Sequence, residues 1–222
     1  MTKKTAKKCI VITGLIEDFG GWLADAAKDA YVICADGGYA FAKVADIKVD
    51  LLVGDFDSYD GELPDEDLVE IIRLEAEKDD TDTGICIQEA IERGYRHIVI
   101  AGGIGGRLSH TISNIQTMAS AAGKVDLIEQ IDGNRHSYML KGPATLRVPK
   151  RMETFDGHEK KKPFISLFAH GGDCTGVDIS GVYYPLEDGT LNAFYPLGCS
   201  NEIVDDEAVI SVKKGNLLVI EE

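Results

Sequence analysis

A chain of 222 residues with 23 basic and 38 acidic side chains carries a formal net charge of −15. At this length about 70% of the unfolded surface can be buried, so one large domain or two small ones are both feasible. The charge argues against nucleic acid and membrane surfaces as partners, because such a surface repels phosphate backbones and anionic lipids.

The acid excess lies in the front of the chain, where residues 1–130 hold 24 acidic and 13 basic side chains. A small cation or a metal ion suits that distribution better than a polyanion. The five cysteines, Cys9, Cys34, Cys86, Cys174 and Cys199, show no CxxC spacing and mostly sit in apolar stretches. That pattern predicts reduced thiols and a cytoplasmic protein. The opening MTKKTAKKCIVITGLIED reads as a first β-strand, because its apolar run is short and ends in acids. No stretch approaches the roughly 20 apolar residues of a membrane span.

From there to about residue 130, short runs rich in Val and Ile alternate with segments of helical spacing. CIVIT, YVICA, LLVG, EIIRL, HIVIAG and VDLIE read as strands. GWLADAAKDA, GYAFAKVAD, TGICIQEAIERG and residues 108–122 read as helices. Strand followed by helix, repeated, predicts an open, mainly parallel α/β sheet over residues 1–131. Beyond Gly133 the runs TLRV, FISLF, GVYYPL, TLNAFY, AVISV and LLVIE are punctuated by turn residues, which predicts an antiparallel β-domain over residues 132–222. The polar stretch from Pro149 to Pro163 lacks apolar periodicity and is expected to be a long loop within it.

Three apolar runs of the first domain finish in acids: YVICAD, LLVGDFDS and IIRLEAEKDDTD. In an open parallel sheet the carboxyl ends of the strands share one edge, and ligands bind outside it. Asp36, Asp55, Asp57, Asp79 and Asp82 therefore converge on that edge. Asp55 and Asp57 point the same way if the backbone between them stays extended. Each acid taken alone reads as a helix cap. Taken together they call for a cation, since two carboxylates ~4 Å apart repel by about 4 kcal/mol at an effective dielectric near 20. Oxygen ligands without His or Cys suit Mg2+. After HIVIAG, the glycines of GGIGGR, including Gly105 and Gly106, lead into a helix where backbone N–H groups and Arg107 would receive phosphate. A tight strand-to-helix turn is the alternative there. His110 and Asn114 share a helix face, and Lys78 reads either as a phosphate contact or as a solvated side chain.

In order and spacing, ADGG at 35–38, GDFDS at 54–58, KDDTD at 78–82 and GGRLSHTISN at 105–114 resemble the thiamine pyrophosphokinases. GVYYPL and LGCSNE extend the resemblance into the second half. It implies an α/β domain followed by a β-sandwich, ATP with Mg2+ at the acid-lined crevice, and thiamine as acceptor. It implies Asp55, Asp57 and Asp82 around the metal. Asp36, Gly37, Gly38, Lys78, Asp79, Thr81, Gly105, Gly106, Arg107, His110 and Asn114 would be at the nucleotide, with Lys78 and Arg107 neutralising charge. Ser200 and Asn201 would be at the thiamine ring. It also implies a homodimer whose sites are shared between subunits. Two positions depart from the family pattern: Ser109 stands where the motif usually has Asp, and Tyr39-Ala40 follow ADGG where Ala-Asn is common. The alternatives are a haloacid-dehalogenase-like phosphatase using DFDS, and a nucleotide- or thiamine-binding protein without turnover.

Overall fold

The computed structural model describes residues 8–56, 61–75, 79–151, 153–155 and 159–222, with only the backbone of 153–155 and 159–161. The chain divides into two compact units, Met1–Gly133 and Asn134–Glu222.

The first unit runs β1 (Lys8–Ile12), α1 (Trp22–Ala27), β2 (Ala30–Ala35), α2 (Gly38–Val44), β3 (Leu51–Gly54), β4 (Glu70–Arg73), α3 (Asp82–Glu92), β5 (His97–Ala101), α4 (Leu108–Ala121) and β6 (Leu127–Asp132). All six expected strands and all four helices are present. The strands form one sheet in the order β6-β5-β1-β2-β3-β4, and every pairing is parallel. β1, β2, β3 and β5 are buried along nearly their whole length, which is why they read as unbroken apolar runs. Ile10, Ile12, Leu23, Val32, Cys34, Leu52 and Val99 belong to one core. Each such side chain stabilises the fold by roughly 1.5–3 kcal/mol. Burial also pushes the Cys9, Cys34 and Cys86 thiols well above their usual range, so they pack as inert apolar groups. All five cysteines are free thiols.

The chain builds from β1 outward through β2, β3 and β4, then crosses back to lay β5 and β6 on the other side of β1. β1 and β5 are thus neighbours whose following loops leave in opposite directions. A crevice opens at such a reversal, beyond the carboxyl ends of the two strands.

The second unit is strand-rich and antiparallel: β7 (Arg135–Lys141), β8 (Ala144–Pro149), β9 (Glu153–Phe155), β10 (Glu159–Lys161), β11 (Phe164–Ser180), β12 (Leu186–Leu191), β13 (Gly198–Glu202) and β14 (Glu207–Glu221). FISLF and its sequel form one 17-residue strand, and AVISV joins LLVIE in one of 15. Each long strand changes partners midway. Residues 164–170 of β11 pair with 216–221 of β14, flanked by β13 and β7. Residues 175–180 pair with 209–214, flanked by β12 and β8. Two four-stranded layers therefore share two bent strands, a sandwich-like arrangement. The bend in β14 falls at Gly215, whose φ of 111° and whose 2.7 Å clearance between an added Cβ and Cys174 Sγ require glycine.

Three expectations need correction. TLNAFY is not a strand, because β12 ends at Leu191 and only Thr190 and Leu191 of that run belong to it. The stretch from Pro149 to Pro163 is not wholly loop, because β9 and β10 pair as an antiparallel ribbon. Three-residue strands are too short to show an alternating pattern. GVYYPL is not a strand either: only Val182 bridges, to Ile203, while Tyr183 and Tyr184 are exposed.

Candidate active site at the carboxyl edge of the parallel sheet

A cavity of about 810 Å3 lies within the first unit at the predicted crevice. Its floor is the turn after β1, Thr13 to Leu15, and the ends of β2 and β3 supply Ala35, Asp36 and Asp55. The start of α3 supplies Asp80 to Thr83, and the loop after β5 with the first turns of α4 supplies Gly103, Gly106, Arg107, Ser109, His110, Ser113 and Asn114. Among the described residues, four carboxylates, Asp36, Asp55, Asp80 and Asp82, thus share a single space with one guanidinium, Arg107.

Asp36 sits at φ 45° and Phe56 at φ 59°, in the left-handed region that non-glycine residues avoid. Conformations of this kind cost roughly 1–3 kcal/mol each and persist where surrounding structure enforces them, characteristically at functional sites. The Phe56 value also corrects a premise: the backbone between Asp55 and Asp57 is not extended, so period-two alternation does not govern their directions. Asp57 and Lys78 lie outside the described residues.

The start of α3 is capped by Thr81, whose Oγ1 accepts from Gly84 N–H at 3.1 Å. Thr81 therefore lines the cavity with its hydroxyl already engaged in holding the helix. Asp80 Oδ1 accepts from Thr81 N–H at 2.8 Å, and Asp82 stands in the first turn of α3, where an acid favours the helix dipole. Capping and site roles coexist here. Of the adjacent pair Asp79 and Asp80, sequence reasoning chose Asp79, but it is Asp80 that lines the cavity. Nothing in a DD dipeptide distinguishes them without the register of the following cap.

The glycine loop has the features that phosphate needs. Gly102, Gly103, Gly105 and Gly106 all have positive φ. Gly106 N–H donates to Glu17 Oε1 at 2.7 Å, so the loop already presents a donor to an anion. α4 begins at Leu108 after Arg107, whose side chain makes no capping hydrogen bond. Its first N–H groups are therefore open to a ligand. Asn114 is buried, and its Nδ2 donates to Gly103 O at 3.0 Å. Asn114 thus shapes the glycine loop from beneath. Gln130 Nε2 does the same for Gly102 O at 2.8 Å, a role its isolated position in β6 did not advertise.

Gly37 and Gly38 do not line the cavity. A Cβ on Gly38 would stand 2.1 Å from Ile12 O, so this glycine lets α2 approach β1. Gly105 lies in the loop, with its N–H donating to Thr111 Oγ1 at 3.2 Å. The turn after β1 was missed in the sequence because Thr13, Gly14 and Leu15 carry no charge. The signal available was positional, since β1 leads into the reversal of strand order.

In the second unit, Ser200 and Asn201 lie on β13. Ser200, like Asp36, is a site candidate at positive φ, 58°, and its N–H donates to Ser166 Oγ at 3.0 Å. Cys199 Sγ lies 3.5 Å from Ser200 Oγ.

The sequence matches the family description "Thiamin pyrophosphokinase, catalytic domain" over residues 24–128 and "Thiamin pyrophosphokinase, vitamin B1 binding domain" over residues 145–217. The chain belongs to the thiamin pyrophosphokinase family. This is a family of ATP-dependent pyrophosphotransferases, and the family implies ATP as substrate. A thiamine pyrophosphokinase of Bacillus subtilis is 29% identical over 146 residues, covering 66% of this chain and 64% of that relative. Among solved structures, a thiamine pyrophosphokinase from Bacillus subtilis superposes with a TM-score of 0.80 at 23% identity, covering 97% of this chain and 99% of that one. One from Geobacillus thermodenitrificans gives 0.77 at 24% identity, with 97% of each chain covered. One from Candida albicans gives 0.72 at 18%, covering 97% and 89%. These likenesses extend the shared fold to nearly the whole chain.

Proposed function

We propose that the protein is an active thiamine pyrophosphokinase, which transfers the pyrophosphoryl group of ATP to the hydroxyl of thiamine and releases AMP. The observation that carries this reading is the pairing, in one cavity, of four carboxylates with a phosphate-receiving glycine loop and Arg107. Acids and phosphates repel, so a site holding both needs a cation between them. The donors on the acid side are carboxylate oxygens, and one or two of these with substrate phosphates match how Mg2+ is usually held. Asp55 and Asp82 would hold it, with Asp57 as the further ligand implied by GDFDS. When bound, Mg2+ neutralises phosphate charge and polarises the phosphorus that is attacked.

The chain's own groups do the rest. The α4 N-terminus and Arg107 hold the phosphates in line, and His110 closes that wall. The thiamine hydroxyl oxygen attacks the β-phosphorus, and the bond from that phosphorus to the bridging oxygen of AMP breaks. The hydroxyl proton passes to a carboxylate of the cluster, for which Asp82 is the candidate. Positioning and charge neutralisation carry such a reaction without covalent protein chemistry. The match of residues 145–217 to a vitamin B1 binding domain supports thiamine as acceptor and places Ser200 and Asn201 within the matched stretch. We assign a homodimer with each site completed by the partner's second unit, and a cytoplasmic location, in keeping with five free thiols.

Nothing in the family assignment supports the phosphatase alternative. The deciding assay supplies ATP, Mg2+ and thiamine, with product analysis. AMP and thiamine diphosphate in equal amounts, abolished by chelator and restored by Mg2+, is the expected result. Stoichiometric ADP with thiamine monophosphate would refute pyrophosphoryl transfer. Acceptor-independent phosphate release would favour a phosphatase, and binding without turnover would favour a sensor.

A further inference from the structure

The left-handed backbone at Phe56 sits directly after Asp55, at the point where β3 ends and the acid enters the cavity. Phenylalanine has no local hydrogen bond with which to favour that conformation, unlike Asp or Asn. Something else must hold it there, and the surroundings show what. The Phe56 ring is half-buried against the core that includes Ile10, Cys34 and Leu52. The Arg73 guanidinium stands over the ring, 5.9 Å from its centroid and within cation–π range. Arg73 is itself directed by Glu66, with Nη2 donating to Oε1 at 3.0 Å.

The backbone just before Phe56 is equally fixed. Gly54 O accepts from Leu74 N–H at 2.9 Å and Val53 O from Asp36 N–H at 2.8 Å. The strand therefore ends in a clamp, and the ring anchors the first residue beyond it. An apolar side chain facing inward from a left-handed residue sets the direction of the chain on both sides of itself. Here one of those sides is Asp55.

We propose that Phe56 is a positioning residue for the metal-holding acid Asp55: its ring, seated in the core and covered by Arg73, enforces the left-handed turn that delivers the carboxylate to the cavity. This rests on the reading of Asp55 as a ligand of the catalytic cation. The role is distinct from mere core filling. A core-filling ring could be replaced by any apolar group of similar size, whereas a positioning ring must also hold the turn.

The experiment compares Phe56→Gly, Phe56→Tyr and Asp55→Asn in the full-length protein. Gly accepts the left-handed backbone but has no ring to hold it, and Tyr keeps the ring. Two readouts are taken: Mn2+ affinity in the presence of a non-hydrolysable ATP analogue, from the electron paramagnetic resonance of free Mn2+, and the Mg2+ concentration giving half-maximal turnover. Thermal melts in the absence of metal establish the folded fraction. Phe56→Gly is expected to weaken Mn2+ affinity and raise the Mg2+ requirement by about tenfold, corresponding to 1.4 kcal/mol. Phe56→Tyr should stay within about twofold of the parent, well under that 1.4 kcal/mol step. Parental Mn2+ affinity in folded Phe56→Gly would overturn the proposal, as would activity lost only in proportion to folded fraction. If Asp55→Asn itself kept parental Mn2+ affinity, the metal role of Asp55 would fall, and the proposal with it.

Discussion

Asn201 holds Tyr184 by both ends of its side-chain amide: Nδ2 donates to Tyr184 O at 2.7 Å, and Oδ1 accepts from Tyr184 N–H at 3.0 Å. The amide thereby acts as one rung of a ladder for a segment that forms no strand. Tyr184 is 68% exposed, and its ring meets Tyr183 edge-on at 4.8 Å. Asn201 thus contributes to the second unit's surface mainly by fixing an aromatic pair.

That arrangement predicts how Asn201→Ala behaves. Two partly exposed hydrogen bonds are lost, so stability should fall by about 1 kcal/mol. If the aromatic pair helps receive thiamine, the KM for thiamine should rise by about tenfold, equivalent to 1.4 kcal/mol, with kcat and the KM for ATP little changed. Steady-state kinetics with each substrate varied check this. An equal rise in both KM values would mean a general loss of structure.

Thr81 carries a second test, because it both caps α3 and lines the cavity. Thr81→Ala should cost about 1 kcal/mol, whereas glycine at an N-cap costs only a few tenths relative to threonine. Thr81→Gly therefore preserves the helix while removing the hydroxyl. If the hydroxyl serves only the cap, Thr81→Gly should keep the parental KM for ATP, and Thr81→Ala should lose stability with that KM nearly constant. A rise in the KM for ATP in Thr81→Gly would show that the hydroxyl also meets the nucleotide.

Much of the parallel sheet was legible because its central strands are buried on both faces, and burial on both faces leaves an unbroken apolar run. β7, RHSYMLK, and β13, GCSNE, mix polar and apolar residues and gave no such run. β14 was read as two strands, AVISV and LLVIE, because its polar middle KKGN looks like a turn, and only the FISLF part of β11 was read as strand because HGGDCTG looks like one. In the structure they are bends inside continuous strands. Asp36 and Asp55 were legible because each directly follows a buried strand, whereas Asp80, beside the cap of α3, was passed over for Asp79. The turn at Phe56 was not, since its left-handed backbone depends on a ring packed into the core and on Arg73, 17 positions away in the sequence. Asn114 was placed at the site from its helix spacing, but its partner Gly103 O depends on the loop's path.

The proposed sharing of sites between subunits predicts complementation. An Asp82→Asn protein lacks an acid of the first unit, and a Ser200→His protein carries a bulky ring on the second, at a backbone angle that histidine tolerates. Each should be inactive alone. Random subunit exchange makes half of the dimers mixed, each with one intact site of two, so the mixture should recover about a quarter of parental activity. No recovery after exchange confirmed by mass would mean that each site is completed within one chain.

The buried end of β14 offers a test by pH. Glu221 is 3% exposed and is paired with Arg151, whose side chain is 42% exposed. Burial raises the Glu221 carboxyl above its usual range, and Arg151 pulls it back only in part. A folded-state pKa above the unfolded value, about 4.3, means that the folded protein holds the proton more tightly. The stability associated with that proton is present below the unfolded value and is lost as pH rises through the folded one. Arg151→Met removes the counter-charge and raises the folded value further, so the loss should deepen with pH. At neutral pH it should reach about 3 kcal/mol, the lower end for a buried pair broken on one side, because Arg151 is partly solvated. Near pH 4 the variant should match the parent closely, since Glu221 is then protonated in both. Glu221→Gln should show neither slope. Urea denaturation between pH 4 and pH 7.5 measures all three, and a penalty for Arg151→Met that is the same at every pH would show that the arginine acts by packing alone.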